Sequence, residues 1–247
     1  MPRPDFSTPR LFVDADLAPD GEVTLRRDQA NYLVNVLRLG ANDRVLVFNG
    51  RDGEWRADLV SVGKRDVRLL LSEQTRPQPV ASPLTYAFAP LKHARLDYLV
   101  QKAVEMGAGV LQPVLTRRTQ VSRINTDRMR ANVVEAAEQC GVLAVPEVRL
   151  EERFEAWLAA WPDESPLVFC DEDAETGGPL ATLDALPRFD RIGLVIGPEG
   201  GFDPGERAAL SARANVLRVS LGPRILRADT AAVAALAIIQ ASVGDWR

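Results

Sequence analysis

Two glycine-proline loops carry the densest group of residues in this chain that could hold and act on a ligand. Gly197-Pro198-Glu199-Gly200-Gly201 follows the apolar run Ile192–Ile196, and Leu221-Gly222-Pro223-Arg224-Ile225-Leu226-Arg227 follows Val216–Ser220. Glycines let main-chain amides and carbonyls come close to a flat ligand, and prolines fix the loop shape. No Lys-Ser or Lys-Thr follows the glycines and no G-x-G-x-x-G opens a helix, so a Walker-type phosphate cradle and a dinucleotide fingerprint are both missing. What remains suits a purine with a small polar tail, read by backbone groups, with Glu199 and several arginines beside it.

The elements that must position these loops are legible around them. Ile192–Ile196 and Val216–Ser220 read as strands. Asp203-Pro204-Gly205-Glu206 opens a helix, with Asp203 as N-cap, Pro204 at the first helical position and Glu206 closing a capping box. The last helix starts near Asp229-Thr230. The sequence therefore predicts two strand–loop–helix units side by side, each with its loop at the carboxyl end of a strand, where ligands sit in open parallel sheets.

The rest of the chain supplies two bodies and a spacer. Residues 10–76 read as a small β-rich unit: strands at Leu11–Val13, Glu22–Leu25, Arg44–Phe48, Glu54–Val60 and Asp66–Leu71, and a helix over Arg27–Leu39 stopped by Gly40. Asn49-Gly50 and Asp52-Gly53 are hairpin signals. Such a unit suits an OB- or PUA-like RNA-binding β-barrel. Three prolines within 76–83 make a stiff linker. After it, strands and helices alternate, which argues for a parallel α/β sheet covered on both faces. The domains are therefore set at residues 1–76, a linker at 77–83, and 84–247.

Composition narrows the function. The 247 residues are 46% hydrophobic, enough for a sizeable core. Cys140 and Cys170 lie far apart, which argues against a disulfide framework or a zinc site. The one histidine, His93, sits in a polar helix start and reads as a solvated residue, with an RNA contact as the alternative. No apolar run is long enough to span a membrane and the first residues lead into no signal-peptide core, so a cytoplasmic location is expected. The net charge is -4, but it is segregated: residues 92–130 hold eight Lys or Arg against three acids, while 147–190 hold twelve acids against three Arg. A local basic face attracts phosphates even when the total is negative. Lys92, Arg95, Lys102 and Glu105 share helical spacings. The last helix, Thr230 to about Val243, is apolar nearly all round and must be covered on more than one side, as a central packing helix or at a dimer contact.

Gly-Pro-Glu-Gly-Gly followed by Leu-Gly-Pro-Arg-Ile-Leu-Arg-x-Asp-Thr-Ala resembles the signature of the knotted SPOUT methyltransferases. Within them it is similar to the ribosomal small subunit methyltransferase E family, which methylates N3 of a uridine in 16S ribosomal RNA. Glu138-Gln139-Cys140-Gly141 matches the family pattern as well. Val142 stands where an arginine commonly follows, Tyr32 where histidine is frequent, and Asp229 in place of the usual glutamate. The resemblance implies a PUA-like amino-terminal domain, a SPOUT domain with a carboxyl-terminal trefoil knot, S-adenosylmethionine as methyl donor, 16S rRNA within the small ribosomal subunit as substrate, and a homodimer through the last helix.

On that resemblance, donor contacts are expected from Phe169, Ile196, Gly197, Gly201, Leu221, Gly222, Ile225 and Leu226. RNA contacts are expected from Arg10, Arg38, Lys92, Arg118 and Arg224. Methylating N3 requires removal of its imino proton or stabilisation of the developing anion. Arg227 is the candidate for stabilisation, and Glu199 for accepting the proton, orienting the base or bracing loop amides. The donor already carries a sulfonium charge, so no metal is required. The competing readings are a non-catalytic RNA-binding factor on the same fold and a small-molecule enzyme using the same sheet.

Overall fold

The computed structural model describes residues 5, 7–63, 66–121, 123–174, 178–184, 186 and 189–246, with only the backbone described at 93 and 179. The chain divides into two compact units, Met1–Val80 with Ala137–Val145, and Ala81–Ala136 with Pro146–Arg247.

The first unit contains β1 (Arg10–Phe12), β2 (Glu22–Thr24), α1 (Arg27–Asn31), β3 (Arg44–Phe48), β4 (Glu54–Val62) and β5 (Val67–Arg76). They form one sheet in the order β1-β3-β4-β5-β2, parallel at β1/β3 and antiparallel elsewhere. Alternating residues such as Val45, Val47, Trp55, Ala57, Leu59, Leu69 and Leu71 enter one core. In the hairpin turn, Asn49 Oδ1 accepts from the amides of Arg51 and Asp52 at 3.0 and 2.8 Å. Register shifts between β4 and β5 coil the sheet. The end strands β1 and β2 do not pair with each other among the described residues, so the expected barrel is an unclosed five-stranded sheet in hydrogen-bond terms.

The helix expected over Arg27–Leu39 is shorter and changes type. α1 passes into a π-helical turn at Tyr32–Val36, closed by the Leu37 amide bonding to the Tyr32 carbonyl at 2.9 Å. Arg38 then adopts φ 60 and ends the helix two residues before Gly40. A buried ion cluster holds the unit's edge. Glu54 accepts from Arg10 Nε at 2.7 Å and from Arg76 Nη2 at 2.7 Å. Burial alone would raise the Glu54 carboxyl, but hydrogen bonds from Arg76, Arg10 and Thr75 bring it below its ordinary value. The Glu-Gln-Cys-Gly motif belongs to this cluster: Glu138 accepts from the Phe12 amide at 2.8 Å, and the Gly141 carbonyl from Arg76 at 3.1 Å.

The second unit alternates strand and helix as expected. It contains β6 (Leu84–Phe88), α2 (His93–Glu105), β7 (Val110–Leu115) and α3 (Thr126–Cys140), whose last turn falls among the residues grouped with the first unit. There follow β8 (Glu147–Val148), β9 (Glu152–Arg153), α4 (Phe154–Ala160), β10 (Leu167–Cys170) and α5 (Pro179–Asp184). β11 (Ile192–Ile196), α6 (Pro204–Ser211), β12 (Val216–Val219) and α7 (Ala228–Val243) complete it. The sheet is parallel, in the order β12-β10-β11-β6-β7-β8, with β9 on β7. Every residue of β6 and β11 is buried, as befits strands covered on both faces.

This order corrects one expectation. The strands before the two glycine-proline loops are not neighbours, because β10 lies between β11 and β12 and pairs with both. The α6 cap is as expected: Asp203 Oδ1 accepts from the Gly205 amide and Glu206 Oε2 from the Asp203 amide, both at 2.9 Å. Glu206 is buried and its other oxygen accepts from the Arg117 amide at 2.8 Å, so the cap also holds the loop after β7. α7 packs on α2, α5 and β11 and buries Ala232, Ala235, Leu236 and Ile239. Gln240, also buried, donates to the carbonyl of Met106 at 2.8 Å, tying α7 to the end of α2. No helix among the described residues is long and apolar enough to cross a membrane.

Candidate functional site

At the carboxyl ends of β10 and β11 the second unit encloses a cavity of about 380 Å³, within the roughly 300–1,000 Å³ usual for small-molecule sites. Three loops wall it, one more than the sequence suggested. Phe169 to Glu172 end β10, Ile196 to Phe202 follow β11, and Ile225 to Ala228 lead into α7. The parallel register explains the convergence, since β10 carries its own acidic turn up between the two glycine loops.

Six of the eight expected donor residues line this cavity: Phe169, Ile196, Gly197, Gly201, Ile225 and Leu226. Leu221 and Gly222 do not. Gly222 has φ 102 and its amide donates to Ser220 Oγ at 3.3 Å, so this pair forms the bend that delivers residues 225–227 to the cavity. Gly201, at φ 69, meets the left-handed demand of its turn. Gly197 answers a different need. A Cβ there would lie 2.8 and 2.9 Å from two ring atoms of Phe202, so the glycine makes room for an aromatic ring rather than directly for a ligand. Phe202 lines the cavity and packs against Phe154 and Phe169, with centroids 5.6 and 5.4 Å away.

Charge is arranged in two sets. Below the β10 loop, Asp171 has a side chain only 1% exposed and is held by Arg207 and by Arg218, the latter at 2.6 Å. Arg207 also pairs with Asp173 at 2.6 Å. Asp171, Glu172 and Arg207 all line the cavity. Sequence reasoning passed over this set. Its signal was the acidic run Asp171–Asp173 directly after a buried strand, where a folded charge needs cationic partners. Burial, then the neighbouring Asp171, pushes the Cys170 thiol up to about 12.

Arg95 organises the second set. Its guanidinium pairs with Glu199 of the first glycine loop and with Asp229 of α7, the latter at 3.0 Å. It thus leaves the helix-face group expected from spacing, where Lys102 pairs with Glu105 at 2.7 Å. A hydrogen bond from Arg95 holds the Asp229 carboxyl below its ordinary value. Arg95 Nη2 is buried with no hydrogen-bond partner among the described residues. Glu199 therefore braces a cation rather than loop amides. Asp229 takes part in the same cluster.

Arg227 lines the cavity as the N-cap of α7 without a side-chain capping bond, and no carboxylate holds it among the described residues. Beyond Pro198 and Glu199 lies a smaller hollow of about 110 Å³, lined also by Lys92, Arg95 and Arg118. Arg118 Nη1 donates to the Gly200 carbonyl at 2.7 Å, bracing the glycine loop from outside. Lys92 and Arg118 are thus brought together, while Arg224 is exposed on the loop before α7. Arg38 is exposed in the first unit. Arg10 corrects an expectation. Its side chain is 3% exposed and consumed by Glu54, so it is a buried structural cation and cannot reach RNA from there. The side chain of His93 lies outside the described residues.

A covered parallel sheet with its cavity at the strand ends, built from glycine loops and an unpaired arginine, defines a small-molecule-dependent α/β enzyme. Residues 77–240 match the family model of the RNA methyltransferase domain, and residues 25–72 that of the RNA methyltransferase PUA domain. The chain is 30% identical over 232 residues to ribosomal RNA small subunit methyltransferase E of Rickettsia conorii, covering 94% of both chains. It is 34% identical to the protein of that name from Synechocystis, covering 94% of this chain and 77% of that one. The crystal structure of ribosomal RNA small subunit methyltransferase E from Neisseria gonorrhoeae bound to S-adenosyl methionine superposes with a TM-score of 0.85 at 28% identity, covering 97% of this chain and 100% of that one. The chain belongs to the ribosomal RNA small subunit methyltransferase E family.

Proposed function

We propose that this chain transfers the methyl group of S-adenosylmethionine to N3 of one uridine of 16S ribosomal RNA, acting on the small ribosomal subunit in the cytoplasm. Methylation of ribosomal RNA and use of that donor come with the family. The choice of N3 rests on the resemblance of the two loops, and the observation that best supports it is the unpaired Arg227 beside the donor cavity.

The cavity residues fit the donor. Backbone of Ile196–Gly201 and the side chains of Phe169 and Leu226 offer a flat apolar slot for adenine, and the exposed carboxylate of Glu172 faces the side that a cationic sulfonium or ammonium would favour. The donor supplies an activated methyl group. The chain's residues do the rest. Arg227 holds the uracil oxygens as the N3 proton passes to solvent water and negative charge builds on N3, O2 and O4; N3 then takes the methyl carbon as its bond to sulfur breaks, and neutral S-adenosylhomocysteine is left to depart. Lys92 and Arg118, in the adjoining hollow, draw the phosphates of a splayed nucleotide toward the shared wall at Pro198 and Glu199. Arg95 fixes that wall by tying Glu199 to the start of α7. Alignment of the two reactants across it supplies much of the rate.

Two further features belong to the proposal. The path from β12, at the sheet edge beyond β10, back to α7 against β11 supports the trefoil knot. Ile225 is 95% exposed at the cavity, and α7 keeps residues such as Ile238 only partly covered, which supports a homodimer that closes over this face. The first unit, matched as a PUA domain, serves as the RNA-binding module. The test is nucleoside mass mapping of 16S rRNA after incubating purified chain, donor and unmethylated small subunits. N3-methyluridine is expected; a ribose-methylated product or no product overturns the reading.

A further inference from the structure

A third hollow, about 420 Å³, opens beside the small one and shares Leu91, Lys92, Gln120 and Val121 with it. The small hollow in turn shares Pro198 and Glu199 with the donor cavity. The three depressions therefore run as one trough along the carboxyl edge of the sheet. None of the chemistry above uses the third.

Its construction resembles neither a core defect nor a second donor site. Leu96, Ile124 and Met129 give it an apolar floor, and Lys92, Arg123 and Arg128 a cationic rim. Asp97 is the acid among its lining residues, and it is already taken by Arg128 at 2.6 Å and Asn132 at 2.8 Å. Lys92 and Arg123 are held by no carboxylate among the described residues. The first turn of α2 opens onto the same place without a side-chain cap, so its amides add positive potential there. An apolar floor under a ring of cations matches one nucleotide, whose flat base seeks burial and whose phosphate seeks charge.

The geometry points to this hollow as a subsite for a nucleotide flanking the methylated uridine, so that the enzyme holds two splayed bases rather than one. The inference rests on the function proposed above. It also has an energetic reason. Drawing the target out of its stack deprives its neighbour of a stacking partner, and a pocket for that neighbour offsets part of the unstacking cost.

The test is steady-state methylation of small subunits carrying unmethylated 16S rRNA, with donor affinity measured separately by calorimetry. Ile124→Trp fills the hollow; Arg123→Ala removes a rim cation without filling it. Ile124→Trp is expected to raise KM for subunits about tenfold, the range of a lost base contact, with kcat and donor Kd within twofold of wild type. Arg123→Ala is expected to raise KM several-fold and to reduce the salt slope of log KM by about one. If Ile124→Trp does not fold, the Arg123→Ala result decides alone. Wild-type KM in the folded variants overturns the subsite while leaving the proposed function standing, whereas an inactive wild-type enzyme overturns the function itself. Parallel loss of donor affinity identifies the hollow as a brace for the donor loop. A raised KM for Arg123→Ala with an unchanged salt slope identifies a ribosomal protein as its occupant. Either result overturns the inference.

Discussion

Gly197→Ala is a one-methyl probe of the donor cavity. The added Cβ lies 2.8 Å from Cε2 and 2.9 Å from Cδ2 of Phe202. Ordinary carbon contacts begin near 3.5 Å, so the ring must retreat by roughly 0.7 Å. Phe154 and Phe169 pack against it at centroid distances of 5.6 and 5.4 Å, so the open direction left to the ring is the donor cavity that it lines. Overpacking of this kind costs about 1–3 kcal/mol, and we expect about 2 kcal/mol in urea denaturation. Phe169 and Phe202 both line the cavity, so the same shift reaches the ligand, and the donor Kd is expected to rise about tenfold by calorimetry, equivalent to about 1.4 kcal/mol. Trimming the ring should relieve the clash. In a cycle with Phe202→Leu, the two substitutions should couple favourably by about 1 kcal/mol. Wild-type stability and donor affinity in Gly197→Ala, or strict additivity in the cycle, would refute the argument.

The remaining predictions concern separate parts of the chain. Arg227→Ala should leave the donor Kd within twofold and lower kcat about a hundredfold or more, as for loss of one oxyanion donor; equal loss of both would make Arg227 part of the donor pocket instead. Glu54→Gln should destabilise the chain by about 3 kcal/mol in urea, because it removes the buried carboxylate that Arg10 and Arg76 share; a change under about 1 kcal/mol contradicts the ion cluster. At pH 8 a thiol reagent should label Cys140, which is exposed, faster than Cys170, whose thiol is pushed up to about 12; equal labelling of both refutes that shift.

Much of the site was readable because its signals are local. Both loops follow strands that short-range pattern finds, and the Asp203 to Glu206 cap is complete within four residues. What escaped depends on strand order. β10 inserts between β11 and β12, and only that order brings Asp171 and Glu172 to the cavity. Arg95 reads along its helix as a neighbour of Lys102 and Glu105, yet tertiary placement gives it Glu199 and Asp229 instead. Arg10 was misread because burial is invisible in a basic residue's type; its partner Glu54 is 44 residues away. The π turn after α1 likewise has no local signature, since Gly40 is a fair helix stop and the chain ends the helix at Arg38.

The central claim is that the loops after β10, β11 and β12 form one pouch for the methyl donor. A crystal structure of the chain soaked with S-adenosylhomocysteine tests it directly. Adenine is expected between Ile196–Gly201 and Leu226, with its edge read by main-chain atoms. Ligand bound elsewhere while this pouch stays empty, at a concentration that saturates the protein in solution, contradicts it.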